Sequence, residues 1–285
     1  MLRWQIGEVK VTRIVEIEAI GGTRFVLPQA SPEAILPIGW LQPHFADERG
    51  KLKMSIHALV VETPTRRIVV DTCIGNDKDR GVPAWTNLQT SFLQDLEAAG
   101  YPRESIDVVL CTHLHVDHVG WNTMLVDGAW IPTFPRARYL MGRAEFDYWR
   151  GGGGESMGTD RRVFVDSVQP VFDAGLIDLV DTDHQVCPEV SLTPTLGHTP
   201  GHVSVRISSQ GQEALITGDF IHHPCQLAHT EWASAADYDQ AASTATRERV
   251  FAELAGSGVL VIGTHFAAPT AGRVVRDGEA FRLEV

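Results

Sequence analysis

The stretch Thr112-His113-Leu114-His115-Val116-Asp117-His118-Val119-Gly120 constrains this chain more than any other. Three imidazoles and a carboxylate fall within six residues, directly after the apolar run Val108-Val109-Leu110. Imidazole nitrogen and carboxylate oxygen are the ligands that hold zinc and similar borderline metals at neutral pH. A strand ending in a tight turn aims alternate residues at one point, so His113 and His115 can share a metal. Asp117 and His118, further round the turn, point elsewhere and can hold a second ion. A buried structural histidine usually stands alone, which sets this cluster apart from a solvated polar loop.

The rest of the chain reads as alternating strands and helices. Val9–Ile17 alternates and is β-branched, as a strand requires. Ile56–Glu62 and Arg67–Asp71, joined by Thr63-Pro64-Thr65-Arg66, form a hairpin. Leu88, Phe92, Leu93 and Leu96 predict a helix from Asn87 to Ala99, stopped by Gly100. Further strands are expected at Ile106–Leu110, Ala137–Met141, Val190–Thr195, Val203–Ser208, Ala214–Thr217 and Val259–Ile262, with one more closing the chain. Helices are expected near Arg143–Trp149 and Ala242–Ala255. Gly151-Gly152-Gly153-Gly154 reads as a hinge or loop, not a phosphate cradle, since no strand enters it and no Lys-Ser/Thr follows. No repeat and no linker divides the pattern, so the expectation is one α/β domain over residues 1–285. Residues 21–50 stand apart as a proline-rich arm with Phe25, Ile35, Trp40, Leu41 and Phe45. Such an arm either covers a site, packs on a second subunit in a homodimer, or lies as a long packed loop.

One cluster supplies too few ligands for two closed metal spheres, so others must come from distant loops. The candidates sit where apolar strands end: His198 in Leu196-Gly197-His198-Thr199-Pro200-Gly201-His202, Asp219 after Ile216-Thr217-Gly218, and His265 after Gly263-Thr264. Glycine precedes each turn and lets the chain bend sharply. Alone, either histidine would read as structural. In this order, they read as ligands.

With these motifs the chain resembles the metallo-β-lactamase-fold hydrolases, and within them the lactonase and methyl-parathion-hydrolase-like branch. The resemblance rests on H-x-H-x-D-H, G-H-T-P-G-H, the Gly218-Asp219 pair, the segment Phe220–His229 and a late histidine. It implies a four-layer αβ/βα sandwich, two β-sheets face to face with helices outside. It also implies that His113, His115 and His198 bind one metal, that Asp117, His118 and His265 bind a second, and that Asp219 bridges them. The pair would be two divalent ions, zinc first. Asp71 would orient a ligand histidine, and His202 would be buried and structural. Trp121 replaces the second glycine of the usual H-x-G-G. Lactonases of this type often place a tyrosine beside the metals; no tyrosine here maps onto that role, and His222 or His223 could take it.

The chemistry implied is metal-assisted hydrolysis: a bridging hydroxide attacks a carbonyl polarised by one metal, with Asp117 and Asp219 as catalytic carboxylates. Trp121, Phe220, His222, His223 and Phe266 are the pocket candidates, with Trp40 a further apolar wall. No G-x-S-x-G elbow offers a rival nucleophile. A small-molecule lactone or carboxylic ester is the first substrate class, an aryl phosphotriester the second and a β-lactam the third. A one-iron sulfur dioxygenase is the alternative of another class, and the full set Asp117-His118-His265 argues against it. The formal charge of −12 and the lack of a basic run argue against non-specific nucleic-acid binding, though not against a local basic pocket. Four scattered cysteines, an N-terminus without a signal-peptide core and no apolar run of bilayer length predict a cytoplasmic protein without a membrane partner.

Overall fold

A computed structural model describes residues 1–153 and 160–285, so Gly154 of the glycine run lies outside the described residues. The first sheet begins with β1 (Arg3–Ile6), β2 (Val9–Ile20), β3 (Lys53–Glu62), β4 (Arg67–Val70) and β5 (Val108–Leu110). A separate ribbon, β6 (Thr123–Val126) and β7 (Ala129–Pro132), precedes its last two strands, β8 (Arg138–Gly142) and β9 (Ile177–Val180). The second sheet holds β10 (Gln185–Cys187), β11 (Val190–Pro194), β12 (Val203–Ser209), β13 (Gln212–Ile216), β14 (Leu260–Ile262), β15 (Ala271–Asp277) and β16 (Ala280–Glu284).

Both faces of β3, β4, β5 and β8 are largely buried, which is why their sequences show apolar runs rather than strict alternation. The pleat still sorts the side chains. In β3 to β5, Leu59, Val61, Ile68, Val70, Val108 and Leu110 meet Val190, Val205, Ile207 and Ile216 of the second sheet. The alternate residues Ala58, Val60, Val69 and Val109 face outward against helices. Each fully buried Val, Leu or Ile contributes about 1.5–3 kcal/mol.

The outer layer on the first sheet comprises α2 (Phe92–Ala98), α3 (Arg143–Arg150), α4 (Arg161–Ser167) and α5 (Gln169–Asp173); the short α1 (Pro32–Ile35) belongs to the arm. On the second sheet lie α6 (Cys225–Ala228) and α7 (Gln240–Leu254), the latter started by Asp239, whose carboxylate accepts from Ala242 N at 3.0 Å. Helix, sheet, sheet, helix is the expected four-layer order.

One boundary moves, and two readings gain detail. Helix α2 begins at Phe92 rather than Asn87, because residues 87–90 are tied to the neighbouring loop: Asn87 N donates to Lys78 O (2.7 Å) and Thr90 N to Asn76 Oδ1 (2.8 Å). Gly151–Gly153 wind off the end of α3, their N–H groups bonded to carbonyls of Asp147, Trp149 and Tyr148. The arm is divided between two uses. Leu27, Ile35, Leu41 and Phe45 pack into the outer core of the second sheet, while Gly21–Val26 reach the cavity described below. All four cysteines are free thiols. Among the described residues, no helix is long and apolar enough to cross a membrane.

Candidate metal centre

Strands β4, β5, β8 and β9 run parallel, as do β13 and β14, so their carboxyl ends open on one edge, the usual place for a site in open α/β sheets. Asp71 follows β4, the histidine cluster follows β5, Asp219 follows β13 and His265 follows β14. His198 follows β11, which runs in the same sense as β13, both being antiparallel to β12. Gly218 makes the turn that presents Asp219: its φ is +58°, and an added Cβ would lie 2.6 Å from His202 Nε2.

These loops converge on Asp219. Its Oδ2 lies 3.1 Å from His265 Nε2, 3.3 Å from His118 Nε2, 3.3 Å from His222 Nε2, 3.7 Å from His198 Nε2 and 4.0 Å from His113 Nε2. One carboxylate oxygen has too few lone pairs to serve five imidazoles. The ligating atoms of His113, His115 and His198 lie within 4.8 Å of one another, as do those of Asp117, His118 and His265. The structure therefore brings together all seven residues assigned as metal ligands from sequence.

The hydrogen bonds behind the rings set their tautomers. Asp71 Oδ2 lies 2.8 Å from His118 Nδ1, and Asp237 Oδ1 lies 2.8 Å from His198 Nδ1. His265 Nδ1 donates to Ser55 O at 3.1 Å. The Thr112 hydroxyl donates to the Asp71 carboxylate and so accepts from His113 Nδ1, 3.1 Å away. These partners favour the proton on Nδ1 in His113, His118, His198 and His265, leaving Nε2 toward the centre, whereas His115 turns its Nδ1 inward, 2.9 Å from His198 Nε2. His113 Nε2 is buried there without a protein partner, as expected of a metal ligand. Burial, reinforced by neighbouring imidazoles, holds His113 and His115 well below the usual histidine range, in the neutral form a cation needs. Burial also lowers His118, but Asp219, Asp71 and Asp117 outweigh it and raise it. Such a donor set of imidazoles and carboxylates fits two zinc-like cations.

His202 is buried with both nitrogens used inside the protein: Nδ1 lies 2.9 Å from Thr195 O, and Nε2 accepts from Asp219 N at 2.7 Å. It fixes the Asp219 turn. Asp71 has φ +57°, a left-handed conformation that aspartate tolerates better than most residues.

A cavity of ≈ 260 Å³ opens above the centre. His115, Asp117, His198, Asp219, His222 and His265 form its floor, and Ile17, Phe25, Met54, Ile56, Val82 and Trp85 contribute to its wall. Phe25 from the arm and Trp85 meet edge to face at 6.1 Å, joining two loops over the opening. The Trp85 loop is anchored by Arg80, which binds the Asp166 carboxylate with two nitrogens at 2.7 and 3.1 Å.

Of the expected pocket residues only His222 lines this cavity. Trp121 stacks on Phe92 at 5.7 Å and donates its indole N–H to Glu16 Oε1 at 2.6 Å. Phe220 packs against Phe251, and Phe266 against Phe45, in the outer core of the second sheet. His223 is buried there too, with Nε2 donating to Phe45 O at 2.9 Å and Nδ1 accepting from Cys225 N at 3.0 Å. Trp40 packs on that outer core as well. For Phe220 and Phe266, adjacency to a ligand was a poor guide, because the turn that presents the ligand directs its neighbour into the outer core. Phe25 belongs to the arm for which covering a site was one expected use, while the wall residues Met54, Val82 and Trp85 went unread, since they come from segments remote from every ligand.

Two seven-stranded sheets carry, at their shared edge, groups of histidine and aspartate side chains placed so that they could hold metal ions. A sequence profile of the Metallo-beta-lactamase superfamily matches residues 53–265, and the chain belongs to that superfamily. It is 26% identical over 172 residues to an N-acyl homoserine lactonase of Bacillus sp., and 28% identical over 115 residues to one of Bacillus cereus. The matches span 56% and 40% of this chain, and only 60% and 38% of those relatives. Among solved structures, the hydrolase AbOPH superposes with a TM-score of 0.79 at 23% identity, covering 100% of this chain and 97% of that one. The dizinc quorum-quenching lactonase AidC, in complex with a product, superposes with 0.76 at 19% identity, covering 99% and 95%. At such identities the structural matches speak for the fold.

Proposed function

We propose that this chain is a metal-dependent hydrolase that opens a lactone, or cleaves a carboxylic ester, whose substrate is neutral and carries an apolar substituent. The cavity carries the reading: its floor is the histidine–aspartate centre and its wall, among the described residues, includes no lysine or arginine. A substrate carboxylate or phosphate held against the wall, away from the cations of the floor, would lose its water without gaining a cationic side chain, at a cost of several kcal/mol. The chain's net charge of −12 opposes such anions further. The lactonase relatives support the lactone as first substrate. An aryl phosphotriester, also neutral, suits the same wall and is the second reading; β-lactams bearing a carboxylate fall behind both.

Two zinc-like cations, one held by His113, His115 and His198 and the other by Asp117, His118 and His265 with Asp219 between, would supply a Lewis acid and a more acidic water. The protein supplies the rest. Apolar wall residues exclude bulk water and hold the substituent. Asp117, the most accessible carboxylate of the floor, holds the transferred proton on a carboxylate oxygen until the leaving alkoxide takes it. His222 presents an imidazole beside Asp219, and its Nδ1 is buried without a protein partner. Burial lowers its pKa to about 3, so at neutral pH it is an uncharged ring, and its Nε2, on the cavity floor beside Asp219, is the nitrogen placed to donate to the acyl oxygen.

Two outcomes are expected. N-hexanoyl homoserine lactone should be hydrolysed at least about a hundredfold faster than benzylpenicillin, the ratio that roughly 3 kcal/mol of unpaired desolvation gives. Equal rates would remove the charge argument. His222→Phe should keep its full metal content while kcat falls on the order of a hundredfold, as when one oxyanion donor is lost. Loss of metal instead would make His222 a ligand, and an unchanged kcat would leave it without a part in the reaction.

A further inference from the structure

Glu145 is buried on the first turn of α3, outside every group of residues assigned to a metal above. Its Oε1 accepts from Leu114 N at 3.0 Å and from Trp149 Nε1 at 2.7 Å. Its Oε2 accepts from Gly201 N at 3.0 Å. Leu114 sits between His113 and His115, on the loop leaving the first sheet. Gly201 lies three residues beyond His198, on a loop leaving the second. One carboxylate thus joins the two loops that carry the three histidines. A second contact repeats the link: a Cβ on Gly201 would stand 2.4 Å from Glu145 N, so the loop and the start of α3 are in direct backbone apposition. Trp149, held by the same carboxylate, packs edge to face on His115 at 5.5 Å.

The second triad is supported by other groups. His118 rests on Asp71, and His265 rests on the Ser55 carbonyl. Leu114 lies on the loop that also carries Asp117 and His118, but Glu145 grips that loop between His113 and His115, and among the described residues none of its hydrogen bonds given above goes to Asp117, His118 or His265. We infer that Glu145 is a positioning residue that sets the spacing of the His113–His115–His198 subsite alone, by tying a loop of one sheet to a loop of the other. The inference rests on the two-subsite reading of the centre. Gln at this position keeps the shape but turns an N–H₂ toward one of the two backbone donors, so one half of the tie must open.

The test compares wild type with Glu145→Gln in two ways. Zinc titration of the metal-free protein, with the bound metal counted by mass spectrometry, should show one site weakened about ten- to hundredfold and the other unchanged. Equal weakening of both, or of neither, would overturn the selectivity. Hydrogen exchange on the metal-free proteins should rise at the peptides containing Leu114 and Gly201 and stay constant at those containing His265. Unchanged exchange at Leu114 and Gly201 would overturn the tie whatever the zinc count. A wild type that binds only one zinc would refute the two-subsite reading by itself, leaving the exchange result to decide the tie. Should Glu145→Gln fail to fold, Trp149→Phe, which removes one donor to Oε1, should give the same pattern with a smaller weakening.

Discussion

Asp219→Asn is expected to fold, to bind less than one zinc per chain, and to lose on the order of 10³ or more in kcat/KM. The reason is the convergence on one atom: five imidazole nitrogens lie within 4.0 Å of Asp219 Oδ2. Asparagine keeps the shape but removes the negative charge and turns either a weaker oxygen or an N–H₂ toward those nitrogens. A cation shared between the triads would lose its common anionic ligand. Several kcal/mol of Lewis-acid stabilisation go with it, which at 1.36 kcal/mol per decade gives the stated loss. The backbone turn should survive, since His202 holds it through Asp219 N rather than through the carboxylate. Zinc content by mass spectrometry, circular dichroism and initial rates check the three parts. Two tightly held zinc ions in this variant would contradict the placement of Asp219 between the subsites.

Gly120→Ala is expected to have the largest effect on stability of any single added methyl group near the site. An alanine Cβ would stand 1.8 Å from Ile74 O and 1.9 Å from Ile74 C. No side chain can rotate away, because the obstacle is backbone. That backbone is itself pinned, with Ile74 N and Gly75 N donating to the half-buried Glu16 carboxylate at 2.7 and 3.2 Å. Overpacking costs about 1–3 kcal/mol, and this case belongs at the upper end. A Tm lower by roughly 6–12 °C follows for a domain of this size. The same displacement would reach the centre, since Thr72 N donates to His118 O at 2.8 Å and Gly120 N to Cys73 O at 2.7 Å. Weaker zinc binding should therefore accompany the lower Tm. A melting temperature within about 2 °C of wild type would show that the two segments are not packed as described.

The parts of this fold that were legible in the sequence are those written in local patterns. Apolar runs such as Ile68-Val69-Val70 and Val108-Val109-Leu110 announce strands buried on both faces, and the ligands follow directly where those runs end. Helix α7 starts two residues earlier than its apolar spacing suggests, because Asp239 caps it through Ala242 N, and its buried face includes Ser243, Thr246 and Arg247. Arg247 is satisfied there by Asp237, Ser243 and the carbonyls of Phe220 and Thr230. What the sequence hides is the support behind the ligands. Asp237 reaches His198 across 39 residues and Glu145 reaches Gly201 across 56. In Arg143-Ala144-Glu145-Phe146-Asp147 the glutamate looks like part of a solvated helix face. Nothing in its neighbours signals that the face is closed by loops from both sheets. The pocket candidates failed for a related reason. In Asp219-Phe220, His222-His223 and His265-Phe266 the first member faces the cavity and the second is buried in the outer core, and only the direction of the chain decides which.

The account stands or falls on a hydrolysis that requires the centre. Proton release from N-hexanoyl homoserine lactone should be followed on a pH-stat with zinc-loaded protein, chelator-stripped protein and stripped protein re-supplied with zinc. The account predicts rapid release by the first, none above background by the second, and recovery in the third in proportion to zinc bound, up to two per chain. Release that persists in the stripped protein, or its absence from a sample holding two zinc ions, would contradict it.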